Sequence, residues 1–365
     1  MKYSYIVLAF SFFFGCKDKE ISEKKPTLSF VDEFIVKDSL IIKNSVIGGL
    51  SGIDFFDDSY YIVVDDSRDP RFVKAKIDIN KDTITAINFT DVVFLKDSMS
   101  PFYQENALDL ESIFVDVNTN QINLVSEGRI FKGKNPTVFS VDTLGNLAIN
   151  YQVPNMFYAN SKSKPVNNAV FEGSCKSIDG KGFWVAMEAP LESDGAEATF
   201  KKTNSPIRIT YFDAETQKAT KQFSYQLENI TKPAKGKFNV NGLTAILEYQ
   251  KNHFFIIERT YQSGYGSYGN IVRIFSAKIN ENTTNVLTIK SLKEERFISL
   301  EKELVLNFAT IQGKLTDGII DNIEGITFGP KLESGNQSII VISDNNFNKY
   351  DAQLNQFILL ELSEE

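Results

Sequence analysis

The sequence predicts an all-β chain folded as a β-propeller, and three observations lead to this prediction. Short runs of alternating apolar and polar residues recur along the chain, such as SYYIVV, QINLVS and SIIVIS, with turn signals such as DTLGN and DGKG between them. Amphipathic helical spacing is hard to find. A strand-turn-strand motif also recurs five times, which is typical of radial repeat architectures.

In each copy of this motif, the first strand carries a small or acidic residue near its start and the second strand ends in a carboxylate. The copies, repeats 1 to 5, occupy residues 48–68, 108–129, 170–190, 239–260 and 321–346. The position near the start of the first strand is assigned to Ser51, Glu111, Glu172, Asn241 and Glu324. These positions lie 60 to 83 residues apart, which is room for the four strands of one propeller blade.

The number of blades follows less directly from the repeats. Residues 261–320 and the two ends of the chain hold enough sequence for one blade beyond the five repeats. We therefore expect six blades, with five to seven compatible with the count. The C-terminal run QFILLEL is expected to pair with strands near the beginning of the chain and close the ring.

The first residues resemble a bacterial lipoprotein signal. Lys2 supplies a positive charge, residues 3–14 are apolar but too few to span a bilayer, and Gly15 precedes Cys16. We expect residues 1–16 to be the signal that ends at a lipidated Cys16, 17–29 to be a polar linker, and 30–365 to form a single domain. An ordinary secretory signal with an incidental cysteine is the alternative.

The composition of the chain indicates which classes of binding partner are unfavourable. Its 365 residues are 42% hydrophobic and 24% charged, which is ordinary for a globular protein. The net charge of -8 argues against a nucleic-acid partner, because phosphate backbones are bound through clustered Lys and Arg. Cys175 is the only cysteine besides Cys16 and His253 the only histidine, so a zinc or copper site is not expected.

If the repeats surround a common axis, their acids converge and repel one another unless a cation neutralises them. Calcium suits such a site, because it accepts six to eight oxygen ligands in flexible geometry. The candidate metal ligands are Asp65, Asp66, Glu111, Glu127, Glu172, Glu188, Glu258, Glu324 and Asp344.

Arginine follows three of these acids almost at once. Arg68, Arg129 and Arg259 are the candidate substrate-binding residues, because the planar guanidinium matches phosphate or carboxylate oxygens. Together with a bound cation they would hold a small anionic, phosphorylated substrate. Glu172, Glu324 and Arg259 are the candidate catalytic residues.

Four of the repeat strings carry a resemblance to a known family. GGLSGIDF followed by YYIVVDDSR, NNAVFEGSCKSIDGKGFWVAMEAP, NGLTAILEYQKNHFFIIER and DNIEGITFGPKLESGNQSIIVISDNNF resemble the phytase-like family described as having "esterase-like activity of phytase". The resemblance covers about residues 46–362. It implies an exported β-propeller, with a family name taken from calcium-dependent propeller phytases. Ser51 and Asn241 depart from the acidic pattern.

Two functions remain open on the sequence. The first is a calcium-dependent phosphoric-ester hydrolase in the bacterial cell envelope. It would be an outer-membrane lipoprotein that faces the periplasm or the cell surface and touches the membrane through its lipid anchor only. The second is a non-catalytic propeller that binds a ligand or a partner protein at the cell surface, with structural carboxylates. A monomer is expected in either case.

Overall fold

In a computed structural model, which describes residues 24–95, 100–349 and 352–364, five four-stranded antiparallel sheets form the blades of a β-propeller. The expectation of an all-β propeller is confirmed, but the expectation of six blades is wrong. Residues 261–320 complete the fourth blade and otherwise form loops and short 3-10 turns, so they hold no further sheet.

Blades are numbered by the order of their innermost strands. Blade 1 contains β4 (Leu50–Phe56), β5 (Ser59–Val64), β6 (Arg71–Asn80) and β7 (Thr83–Phe94), and blade 2 contains β8 (Leu110–Val115), β9 (Ile122–Ser126), β10 (Thr137–Val141) and β11 (Leu147–Asn150). Blade 3 contains β12 (Phe171–Lys176), β13 (Gly182–Met187), β14 (Pro206–Asp213) and β15 (Lys218–Gln226). Blade 4 contains β16 (Asn239–Gln250), β17 (His253–Gln262), β18 (Asn270–Lys278) and β19 (Glu301–Asn307).

Blade 5 joins the two ends of the chain. It contains β20 (Asn322–Lys331), β21 (Gln337–Asp344), β22 (Asn355–Glu364) and, as its outermost strand, β1 (Pro26–Val36). β1 runs antiparallel to β22, with Phe30 opposite Leu360. The predicted closure of the ring by the C-terminal run is therefore confirmed, and β1 includes residues 26–29, which were assigned to the linker.

The remaining elements are short. They are a hairpin of β2 (Ile41–Ile42) and β3 (Ser45–Val46), the helix α1 (Pro101–Glu105), and 3-10 turns at Ile130–Lys132, Asn155–Phe157, Gly266–Tyr268, Phe308–Thr310, Gln312–Lys314, Thr316–Gly318 and Asn346–Asn348. Within the described ranges, no helix has the length and apolar character needed to cross a membrane. The expected signal at 1–16, with Cys16, and residues 17–23 of the linker lie outside the described residues.

The core lies between neighbouring blades, because the middle strands of each blade are buried on both faces, as β9 and β21 show. Polar bonds also link the inner strands of adjacent blades. The backbone amide of Val115 in blade 2 donates to Asp54 of blade 1 at 2.9 Å, and the Thr244 hydroxyl of blade 4 donates to the carbonyl of Ile323 in blade 5 at 2.8 Å. These contacts hold the inner strands, and the repeat positions on them, around one axis.

Candidate functional site

The inner strand of every blade carries a β-bulge at the start of its repeat. Pairing skips one residue in each inner hairpin, and the skipped residues are Ser51, Glu111, Glu172, Thr244 and Glu324. A bulge leaves its extra residue unpaired and redirects the side chain. The assignment of Asn241 in repeat 4 is therefore wrong by three residues, because Thr244 occupies the structurally equivalent position.

A second ring position follows from the same register. In each inner hairpin, the residue just before the bulge pairs with a residue near the end of the second strand. The next residue along that second strand takes the second ring position. The five residues there are Asp65, Glu127, Glu188, Arg259 and Asp344. Blade 4 thus places an arginine where the other four blades place an acid. Its predicted acid, Glu258, lies one position earlier in the alternating strand and faces the other way.

Glu258 forms a separate structural cluster. Its carboxylate accepts hydrogen bonds from the Tyr225 hydroxyl at 2.7 Å, the Glu228 backbone amide at 3.0 Å and Asn241 Nδ2 at 2.9 Å, and it pairs with Lys302 at 2.9 Å. The prediction that Glu258 joins the ring is corrected by these contacts, since its oxygens are already engaged by donors of blades 3 and 4.

A cavity of about 700 Å³ opens where the inner strands converge. Its lining brings together six predicted acids from blades 1, 2, 3 and 5, and blade 4 contributes Arg259 and Asn241. These acids are Asp65, Glu111, Glu172, Glu188, Glu324 and Asp344. In the lining that the structure describes, Arg259 is the single basic side chain, and neither histidine nor cysteine is present.

The remaining predicted residues lie elsewhere. Asp66 pairs with Arg68 at 3.1 Å, and Arg68 is 79% exposed. Arg129 donates to the Ser67 hydroxyl at 2.8 Å and lies 3.8 Å from Asp109. Neither Arg68 nor Arg129 lines the cavity. Glu127 is 3% exposed and lies behind the lining, where it accepts a hydrogen bond from the Val170 backbone amide.

The structure adds acids that sequence reasoning missed. Glu197 and Asp321 line the cavity. Carboxylate oxygens of Asp65, Asp109 and Glu111 lie within 4.8 Å of one another. The spacing of Asp109 and Glu111 in the string LDLES was a usable signal, because alternate residues of a strand share a face.

Burial and mutual repulsion raise the pKa values of these acids. Burial, and then Glu172 and Asp65, raise the pKa of Glu111 well above its usual range. Burial, and then Glu188 and Glu324, do the same for the pKa of Glu172. Burial and Glu188 raise the pKa of Glu127 to about 9, and burial and Glu324 raise the pKa of Asp344 to about 8.

Arg259 moderates this effect on its own side of the cavity. Its Nη2 lies 3.2 Å from Glu324 Oε1 and 3.9 Å from Glu188 Oε1. Burial raises the pKa values of Glu188 and Glu324, but the guanidinium opposes it, so both reach only about 7. Burial lowers the pKa of Arg259 itself, and the surrounding acids more than offset this. Arg259 therefore keeps its charge.

The absence of a side chain at Gly242 leaves room for Glu188 beside Arg259. A Cβ atom on Gly242, which is paired with Arg259 across β16 and β17, would lie 2.4 Å from Cγ of Glu188. The segment 260–270 contributes Tyr261, Gly266, Ser267 and Asn270 to the lining. The site is thus an acid-rich cavity with one cationic corner.

Comparison with solved structures gives remote similarities. A thermostable family-43 glycoside hydrolase is 10% identical, with a TM-score of 0.50, over 87% of this chain and 90% of its own. The α-L-arabinanase of Cellvibrio cellulosa is 8% identical (TM-score 0.42; 86% and 91% covered), and the Dos1 propeller is 9% identical (TM-score 0.34; 87% and 68% covered). At 10% identity the likeness to the glycoside hydrolase concerns the fold alone.

Sequence comparison identifies the family. No curated protein matches the chain. The model of the phytase-like family, described as "Esterase-like activity of phytase", matches residues 45–347, which include all the inner strands and every ring position. The chain therefore belongs to the phytase-like family of β-propellers.

Proposed function

We propose that the protein is a calcium-dependent hydrolase of phosphate esters, with the cavity acids holding the cation and Arg259 holding the anionic ester. The observation that carries this proposal is the convergence of six carboxylates, four of them buried, on one cavity whose lining contains a single arginine. Its volume of about 700 Å³ lies within the usual range for small-molecule sites.

The residues present fit a calcium ion. Their donors are carboxylate oxygens, which calcium prefers, and oxygens of Asp65, Asp109 and Glu111 lie within 4.8 Å of one another. Within the part of the chain that the structure describes, the buried Glu127 Oε2 has no hydrogen-bond partner. When bound, a divalent cation would orient the phosphoryl oxygens, favour ionisation of a water molecule and offset developing charge.

The chain's own groups have distinct roles in this proposal. Arg259 binds non-bridging phosphoryl oxygens, and its buried Nε has no hydrogen-bond partner among the described residues. Glu172, whose pKa is raised well above its usual range by burial and by Glu188, donates a proton to the leaving oxygen. Glu324, with a pKa of about 7, accepts a proton from the attacking water.

The test is phosphate release from small phosphomonoesters by the full-length chain, before and after chelation. We expect chelator to abolish release and added calcium to restore it, and Glu172→Gln to lower kcat about 100-fold. Glu192→Gln, a surface change at a residue paired with Lys164, is the matched control. Equal release with and without chelator would remove the cation from the mechanism.

A non-catalytic propeller that binds a ligand at the cell surface is the second candidate. It is favoured by acids with full hydrogen bonding, such as Asp321, which accepts from Gln353 Nε2 at 2.9 Å and from the Leu354 amide at 2.6 Å. It predicts that Glu172→Gln and Glu324→Gln lower the melting temperature while no ester is turned over. The proposed place in the cell envelope rests on residues 1–16 and needs a test of Cys16 lipidation.

A further inference from the structure

The blade 4 side of the cavity carries large apolar side chains that stay in contact with solvent. Phe238 and Val240 line the cavity there and are 68% and 44% exposed. Tyr261, which is paired with Val240 across β16 and β17, lines the cavity as well. These three residues are called the apolar lip. Exposed apolar side chains that line a cavity are suited to bind an apolar part of a ligand.

The apolar lip lies on the same face of its hairpin as Arg259. Opposite residues of an antiparallel pair share a face, and so do alternate residues of one strand. Val240 is paired with Tyr261. Gly242, two residues after Val240, is paired with Arg259. Two residues advance a strand by about 7 Å, which is the distance along the hairpin between Arg259 and the Val240 pair. That spacing suits a ligand whose anionic group is attached directly to one aromatic ring.

Backbone hydrogen bonds hold the apolar lip in place. The Phe238 amide donates to Ser263 Oγ at 2.9 Å, and the Ser263 amide donates to the Phe238 carbonyl at 3.0 Å. The Gly236 amide donates to the Ser263 carbonyl at 2.8 Å. Lys232 Nζ lies 4.2 Å from the ring centroid of Tyr265, which connects the same two segments. Because the segment that carries Phe238 is already held, binding a ring there requires little further ordering.

The rest of the lining differs in character between the blades. Blade 3, the neighbour of blade 4, contributes the small apolar residues Ala189 and Ala198. Blade 5 contributes Asp321, Asn322 and Glu324, which are polar. An apolar group of a ligand is therefore expected on the side of blades 3 and 4.

We propose that the apolar lip binds the aromatic ring of an aryl phosphate whose phosphoryl group lies at Arg259. The inference rests on the proposed function, because it names the substrate class for the same cavity. A planar ring can stack on Phe238 or Tyr261, while Val240 covers its edge. An alkyl ester of the same charge lacks these contacts and binds more weakly.

Calorimetry with phenylphosphonate and methylphosphonate tests the apolar lip in the full-length chain with calcium present. A carbon–phosphorus bond replaces the ester oxygen in both compounds, so the comparison does not depend on leaving-group reactivity. We expect phenylphosphonate to bind at least about tenfold more tightly. Phe238→Ala combined with Val240→Ser should reduce this ratio to less than about threefold and leave the affinity for methylphosphonate within about twofold.

Phe131→Ala is the matched control, because Phe131 is 69% exposed and lies outside the cavity lining. It should leave the ratio unchanged. Absence of phenylphosphonate binding, equal affinity for the two compounds, an unchanged ratio in the double variant or an equal loss in Phe131→Ala overturns the inference, even if phosphomonoesters are hydrolysed. Tight phenylphosphonate binding that depends on the apolar lip, with no ester hydrolysed, supports the inference and contradicts the hydrolase.

Discussion

Two largely buried arginines of this propeller differ in how fully their donors are satisfied. Arg208, in blade 3, is fully buried and gives its N–H groups to Asp194, Gln222 and the carbonyls of Val286 and Ile289, at 2.6 to 3.1 Å. Arg259 is largely covered, with 13% of its side chain exposed, but among the described residues its Nε has no hydrogen-bond partner, and its nearest acid oxygen is 3.2 Å from Nη2.

The difference separates a structural arginine from a candidate binding arginine. Arg208 and Asp194 fasten the segment between β18 and β19 onto blade 3, because Asp194 also accepts from the Leu292 amide at 3.0 Å. Arg259 instead faces a cavity with donor capacity left over. Burial alone therefore does not indicate function, whereas burial combined with unsatisfied donors in a cavity does.

The largest expected effect is on stability. Arg208→Met should lower the free energy of unfolding by about 3–5 kcal/mol, because it leaves the fully buried Asp194 without its cation. Arg259→Met, measured in chelator, should cost less than half as much, since Glu188 and Glu324 can take up protons. Urea unfolding measures both changes in the free energy of unfolding. Equal losses in the two variants would contradict the distinction between Arg208 and Arg259.

The next effect concerns activity and depends on the proposed function. Arg259→Lys should lower kcat/KM for a phosphomonoester about 100-fold, because an ammonium lacks the planar fork that binds two oxygens. Arg208→Lys is the matched change and should lower stability while kcat/KM stays within about threefold. Unchanged kcat/KM in Arg259→Lys would exclude Arg259 from substrate binding.

The raised pKa values predict how stability depends on pH in chelator. Glu188 and Glu324 have a pKa of about 7, Asp344 of about 8 and Glu127 of about 9, all above their unfolded values. Between pH 4.5 and 9 the folded chain therefore holds more protons, so these groups make stability fall as pH rises. The slope is about 1.4 kcal/mol per pH unit for each excess proton.

Melting curves from pH 5 to 9 measure this slope. Glu127→Gln should flatten it toward its alkaline end, and added calcium should do the same by replacing the protons. A melting temperature in chelator that rises from pH 5 to pH 9 would contradict the raised pKa values.

A third, exposed arginine gives the smallest effect. Arg68 is 79% exposed and pairs with Asp66, so Arg68→Ala should change the free energy of unfolding by less than about 1 kcal/mol. Phosphate release should stay within about twofold of the unaltered chain, since Arg68 lies outside the cavity lining. A loss as large as that in Arg259→Lys would restore Arg68 to the binding site.

The sequence by itself determined the all-β class, the propeller, the closure by the C-terminal strand and most of the ring acids. These features follow from local patterns, since strand alternation and repeated strings are visible in the chain. Asp65, Glu111, Glu172, Glu188, Glu324 and Asp344 were all found in this way.

Only the tertiary structure decided the number of blades and the asymmetry of the ring. Residues 261–320 have the length of a blade, but length does not show whether strands pair into a sheet. Register determines which residue faces the axis, and a shift of one residue reverses the face. That is why Glu258 lies outside the cavity, Arg259 lies within it, and Thr244 replaces Asn241 at the bulge.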